Sequence, residues 1–438
     1  MTTGEAAAQV ARTDTAAQAV RTDAAAIVAE VARRLADPAA VTRITEAAVD
    51  RFPDGSTPAT WHPAALNEGC LGVALLHAEL GDRPRAHAYL SLGAKAAMPG
   101  RCGLFAGLPA VVFATRAAVT RPGDYATLLG RAEPALRAAA SERAGEETER
   151  IAAGRPGTGF AAYDVVQGLS GLGRLLLGTG DAEPAVSYLI ALTEPVEVAG
   201  ERVPGWWVSH APLKNTPDGE GHFNLGLAHG VAGPLALLSI AYRDGLRLPG
   251  HEEAIETIVA WLLEWLHEAS WPPAVSLHRQ LRGPDGSARP DRPSWCYGVP
   301  GIARSLQLAG LALDRPSWRE TAVAVLRRTL ARPWDEWDMI DAGLCHGWAG
   351  MLHITRLMAS DSDTTDLSEA ADGLARRVIG CFDPDAPFGF RYAAGAEAVV
   401  APDRAGFLEG AAGAALALHA YANDEPPKTG WDTALLLN

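Results

Sequence analysis

CYGVPGIARS at residues 296–305 and CHGWAGMLHI at residues 345–354 share one frame: a cysteine, one further residue, two glycines three apart, then an apolar run. The glycine pair recurs in NEGCLGVALL from Asn67, VQGLSGLGRL from Val166, AHGVAGPLAL from Ala228 and LEGAAGAALA from Leu408. FAGLPAVVFA from Phe105 keeps the first glycine and has alanine at the second. The leading glycines are Gly69, Gly107, Gly168, Gly230, Gly298, Gly347 and Gly410. They stand at intervals of roughly 40 to 70 residues, room for two helices and their connections, so each copy reads as a helical hairpin. Glycine at a helix start permits unusual backbone angles and a close approach by another chain, which suits helices crowded around an axis. A closed ring of helix pairs follows as the expected architecture.

Amphipathic stretches lie between the copies. HEEAIETIVAWLLEWLHEA from His251 and WRETAVAVLRRTLARP from Trp318 repeat their apolar positions at helical spacing and read as outer helices. Strand patterns are sparse, with short segments near 203–208 and 388–392 able to pair locally, so the expected class is all-α. A clear helical period begins at about Ala25. Residues 1–24, rich in alanine and threonine, read as a frayed helix or flexible tail, and 25–438 as a single repeat domain.

At 438 residues the chain can bury a large core. No apolar run approaches the roughly 20 residues that span a bilayer, and the N-terminus lacks a signal-peptide pattern, which makes the cytoplasm the default location. The net charge of −14 disfavours nonspecific nucleic-acid binding while permitting a basic peptide partner. Five cysteines in such a chain fit thiols or metal ligands better than a disulfide framework.

If the copies are equivalent, residues just ahead of each leading glycine share one end of the ring. Those positions hold Cys296 and Tyr297, Cys345 and His346, His229 and, slightly further upstream, Asp164. Two thiolates and an imidazole suit zinc, whose catalytic sites keep a fourth position for water or substrate. Nearby helix N-termini favour thiolate over thiol. His229 can act as a general acid or base, and Asp164 can orient a histidine or accept a proton. Each also has an ordinary structural alternative: a histidine before a glycine that only packs, an aspartate that only caps a helix. Cys70, Cys102 and Cys381 lack such a pattern and are read as packing residues, as are the glycine pairs at Gly69, Gly107 and Gly410.

YDVVQGLSG (163–171), NLGLAHGVAGP (224–234), RPSWCYGVPG (292–301) and CHGWAG (345–350) together resemble the lanthionine synthetase C-like (LanC) family over approximately residues 60–425. The resemblance implies an α/α toroid of seven inner and seven outer helices. It implies Cys296, Cys345 and His346 as ligands of Zn2+, and Asp164, His229, Arg292 and Tyr297 as the other active-site residues. The activity it implies is a lanthipeptide cyclase, adding peptide cysteine thiols to dehydroalanine or dehydrobutyrine. A dehydrated precursor peptide would be the substrate and a separate dehydratase the partner. Tyr297 reads equally as a packing aromatic, and Trp295 and Trp348 as residues that shape the cavity. Two other functions fit the same residues: a LanC-like protein that handles or adds glutathione, and a zinc-stabilised peptide scaffold without catalysis. The paired carboxylates of a toroidal glycosidase are missing from the motif set.

Overall fold

The computed structural model describes residues 3–47, 60–98, 100, 103–210, 221–289, 292–362, 364–392 and 403–438, with side chains from residue 15 onward. The chain gathers into two compact units, Met1–Gly93 with Met339–Gly430, and Ala94–Asp338 with Trp431–Asn438.

In the first unit, helix Ala411–Asn423 packs against Thr3–Arg34, Cys70–Glu79 and Trp348–Ser360, and Trp348–Ser360 is backed by Thr365–Gly380. In the second, Leu169–Leu177 packs on Ala232–Arg243, and that helix on Val299–Ala312. Each of the three is also in contact with the helix that follows it: Glu183–Ala191, His251–Glu264 and Pro316–Leu330.

The two kinds of helix differ as their sequences require. Val299 to Gly310 and Ala232 to Ala241 are buried without a break, so these helices are covered on every side, and the few polar groups among them are bonded internally: Arg304 to the Leu437 carbonyl at 2.8 Å, Ser305 to the Gly301 carbonyl at 3.1 Å and Ser239 to the Leu235 carbonyl at 2.7 Å. His251–Glu264 buries Ala254, Ile255, Ile258, Val259, Trp261 and Leu262 along one stripe and turns Glu252 and Glu253 outward. The two outer stretches picked out in the sequence are therefore helices, as read. Gly69, Gly168, Gly298, Gly347 and Gly410 cap the helices that follow them; Gly107 opens its helix, and Gly230 stands two residues ahead of one.

The carbonyl two residues before the leading glycine also does a shared job, accepting an N–H from just ahead of another leading glycine. In the second unit the Ala228 N–H donates to the Cys296 carbonyl at 3.2 Å, and the Val165 N–H donates to the Ala228 carbonyl at 3.0 Å. In the first, the Cys345 N–H donates to the Leu408 carbonyl at 2.9 Å, and the Leu408 N–H to the Asn67 carbonyl at 3.1 Å. Within each unit, successive motif turns are clasped through that carbonyl.

The N-terminal stretch is helical from Thr3 to Arg34. Val20, Ala24, Val28, Val31 and Leu35 are buried at steps of three and four, a stripe that continues well ahead of Ala25. The carbonyl of Leu35, past the helix end, accepts from His77 Nε2 and from the Tyr89 hydroxyl, both at 2.9 Å, which satisfies a group that a helix terminus leaves open.

Short strands complete the second unit. Val196–Val198 pairs antiparallel with Glu201–Val203, and His222–Asn224 with Ala274–Ser276 in the register Phe223 to Val275. The pairing expected near 203–208 takes the form of Val203 opposite Val196 and of Val208 bridged to Thr158 and His222; Phe390 bridges Phe382. The strands His222–Asn224 and Ala274–Ser276 were not foreseen, because three residues are too few to display a period of two.

Candidate active site

Asp164 follows the short helix Phe160–Tyr163 and is fully buried. One carboxylate oxygen accepts the N–H groups of Gln167 at 2.6 Å and Gly168 at 2.8 Å, closing the turn into the next helix. The other meets His229 Nδ1 at 2.5 Å. The two readings of Asp164, helix cap and histidine orienter, are both realised, one on each oxygen.

His229 stands on the loop between strand His222–Asn224 and helix Ala232–Arg243. Its carbonyl accepts the Tyr163 hydroxyl at 2.9 Å, so backbone and ring are both held. With Nδ1 engaged, Nε2 is the nitrogen left to face a reactant, and the side chain is 26% exposed, enough to be reached. Phe160 and Tyr297 flank the imidazole, with ring centres 5.2 and 6.1 Å away.

The turn carrying Cys296 and Tyr297 is organised by Ser294. Its hydroxyl oxygen accepts from the Tyr297 N–H at 3.1 Å and from the Cys296 thiol at 3.7 Å, and its proton goes to the Tyr297 carbonyl. Gly298 completes the turn at φ +125°, a region that favours glycine. Asn224 spans two loops: its Oδ1 accepts the Gly226 N–H at 3.0 Å, and its amide donates to the Tyr297 hydroxyl at 3.2 Å. A Cβ on Gly226 would lie 2.5 Å from the Cys296 carbonyl and 2.8 Å from the Tyr297 ring, so only glycine lets these loops meet. Arg292 is half-buried on the segment leading into the turn.

Cys345 and His346 occupy the corresponding turn before helix Trp348–Ser360. Asp341 closes it: one carboxylate oxygen accepts the Gly343 N–H at 2.8 Å, and its carbonyl accepts the Trp348 N–H at 3.1 Å. The other carboxylate oxygen lies 3.8 Å from His346 Nε2. The sulfurs of Cys296 and Cys345 and a ring nitrogen of His346 lie within 4.8 Å of one another, a group able to hold a metal ion.

The remaining cysteines behave differently. Cys70, Cys296, Cys345 and Cys381 are in no disulfide among the described residues. Burial pushes the Cys70 thiol up to about 12 and the Cys381 thiol up to about 11, so both stay protonated and inert near neutrality. Cys102 lies outside the described residues. Trp295 and Trp348, expected beside a cavity, are both buried. The Trp295 indole donates to the Leu435 carbonyl at 2.9 Å, and Arg377 lies over the Trp348 ring.

A sequence model described as lanthionine synthetase C-like protein matches residues 60–436, most of the chain. The chain belongs to the LanC-like family. Among relatives, the nisin biosynthesis protein NisC of Lactococcus lactis subsp. lactis is 26% identical over 210 residues, 44% of this chain. The match spans 49% of NisC, about half the length of that relative. The solved structure of nisin cyclase superposes with a TM-score of 0.68 at 21% identity, over 86% of this chain and 92% of that one. This LanC-like chain therefore has the helical toroid fold of nisin cyclase, and the expected fold class stands.

Of the residues singled out upstream of the leading glycines, the structure brings Asp164, His229 and Tyr297 together, and Cys296, Cys345 and His346 form a group able to hold a metal ion. Asp341, Asn224 and Ser294, which order these turns, were not singled out. Asn224 and Asp341 each stand six residues before their leading glycines, a shared register in the sequence that could have found them.

Proposed function

We propose that this LanC-like protein is a zinc-dependent lanthipeptide cyclase, forming lanthionine and methyllanthionine thioethers in a dehydrated precursor peptide. Two thiolates and an imidazole favour zinc over harder cations, which take oxygen ligands. Cys296, Cys345 and His346 would hold the zinc, which would supply Lewis acidity to lower the pKa of the substrate cysteine.

The protein's own groups handle the rest. Addition of sulfur to the β-carbon of a dehydroamino acid forms the C–S bond and moves the alkene electrons onto the carbonyl as an enolate; a proton to the α-carbon completes the ring. His229 is the proton-transfer residue, because its Nδ1 is committed to Asp164 while its half-open Nε2 is not. Asp164 orients that ring through the bond to Nδ1. Arg292 stabilises the enolate charge, and Tyr297, its hydroxyl tied to Asn224, positions the peptide. A separate dehydratase supplies the dehydroamino acids, and the reaction takes place in the cytoplasm.

The observation that carries this reading is the convergence of three soft donors in a family whose members include nisin biosynthesis proteins. Its test is zinc content together with thiol consumption on a dehydrated precursor peptide, with and without glutathione. One zinc per chain and intramolecular rings are expected. Cys345→Ala should lose most of both. Zinc-free intact protein, glutathione adducts in place of rings, or a variant that keeps zinc and activity would each overturn it.

A further inference from the structure

Asp341 is 3% exposed, and its second carboxylate oxygen, buried, accepts no hydrogen bond. Leaving an ionised oxygen dry and unbonded is costly, so a reason for its presence is required. Closing the turn is not that reason. Asn224, at the same register in another copy, closes its own turn in the same way: its Oδ1 accepts the Gly226 N–H at 3.0 Å, and its carbonyl accepts the Val231 N–H at 2.9 Å. Asp341 makes the matching bonds to Gly343 at 2.8 Å and Trp348 at 3.1 Å. Asparagine thus suffices for the turn. What the aspartate adds is an anionic oxygen, which lies 3.8 Å from His346 Nε2.

We propose that Asp341 is a positioning residue that holds His346 in the Nε2-protonated tautomer, leaving Nδ1 as the ligand atom for the metal. The separation is that of an ion-pair contact rather than a hydrogen bond, and it sets the electrostatics of the ring edge: a carboxylate there favours N–H over a lone pair on Nε2. An imidazole whose outer nitrogen faces a carboxylate is a more basic ligand and a better oriented one. Asp341 stands five residues before the ligand it serves, and its other oxygen is anchored to the Gly343 amide, so it cannot turn away without opening the turn.

The inference rests on the metal reading above, and the experiment separates the two. Zinc affinity of the metal-free full-length protein is measured by chelator competition, and its unfolding midpoint is measured in parallel. Binding of zinc by the parent protein is the control; without it the metal reading itself fails. Asp341→Asn, which keeps the turn-closing oxygen and puts an N–H donor towards Nε2, is expected to weaken zinc binding about 10- to 100-fold. The metal-free unfolding midpoint should stay unchanged, and Asp341→Glu should recover part of the affinity. Nitrogen NMR of labelled histidine should show His346 protonated at Nε2 in the parent and losing that preference in Asp341→Asn. Parental zinc affinity in Asp341→Asn would overturn the proposal. So would a variant that fails to fold, or one whose affinity falls only as its metal-free stability falls, since either result would make the carboxylate part of the scaffold.

Discussion

Two oxygens of one carboxylate do separate jobs at Asp164, and single-atom changes can pull those jobs apart. Asp164→Asn retains an oxygen for the Gln167 and Gly168 amides but faces His229 Nδ1 with a donor, reversing the tautomer. Cyclisation should fall roughly 10- to 1,000-fold while the fold and zinc content persist, a split readable from kcat beside circular dichroism and metal analysis. His229→Asn should cost roughly 100- to 10,000-fold with zinc retained. Parental turnover in either variant would remove its residue from the proton path. At this scale the sequence was legible where candidate groups stand immediately ahead of a leading glycine, as Cys296, His346 and His229 do. It was opaque where a loop folds back. The side chains of Asn224 and Asp341 each accept a hydrogen bond from the backbone N–H two positions ahead, and Phe160 reaches His229 across 69 positions of chain. Neither side-chain direction nor that return path is encoded in spacing alone.

Helices in this fold carry their burial in their composition, and glycines report how close their neighbours come. Adding a methyl at Gly301 would put it 2.3 Å from the Trp295 carbonyl, in the turn that carries Cys296. Gly301→Ala should cost about 1 to 3 kcal/mol of stability in denaturant unfolding. Gly145, exposed on helix Ala126–Ala152, meets nothing within 4 Å, and Gly145→Ala should stabilise by about 0.5 to 1 kcal/mol. The opposite signs test whether the glycine pairs are packing devices or mere helix punctuation. Elements with full periods, such as His251–Glu264 and Pro316–Leu330, were legible because a stripe of buried residues needs only their spacing. The strands His222–Asn224 and Ala274–Ser276 depend on each other across some fifty residues, and the first helix on a stripe diluted by alanine, so neither announced itself as clearly.

Taken whole, the molecule buries histidines other than the one assigned to proton transfer, and these contribute to its response to acid. His77, His222 and His251 are each held below the ordinary imidazole range, chiefly by burial, and so is His419. The unfolded chain therefore takes up these protons first as pH falls. Stability from this source is full above about pH 6.5 and declines below it until the folded-state values are reached. Unfolding midpoints should be level between pH 7 and 8 and lower at pH 5.5; a rise on acidification would contradict the assignment. The toroid and the metal-site donors were visible in the repeat, whereas this acid sensitivity was not, because burial of a given histidine depends on which helices cover it. The clasps between motif turns have a consequence of another kind. They are made through carbonyls two residues before the glycine, which cysteine, leucine, alanine and asparagine supply equally, as Cys296, Leu408, Ala228 and Asn67 do. Registering one repeat against the next is thus independent of the side chain standing there. Each turn is a socket whose contents can be exchanged by mutation without disturbing its neighbours, so an ancestral repeat could diversify, with some copies acquiring reactive groups and others remaining plain scaffold.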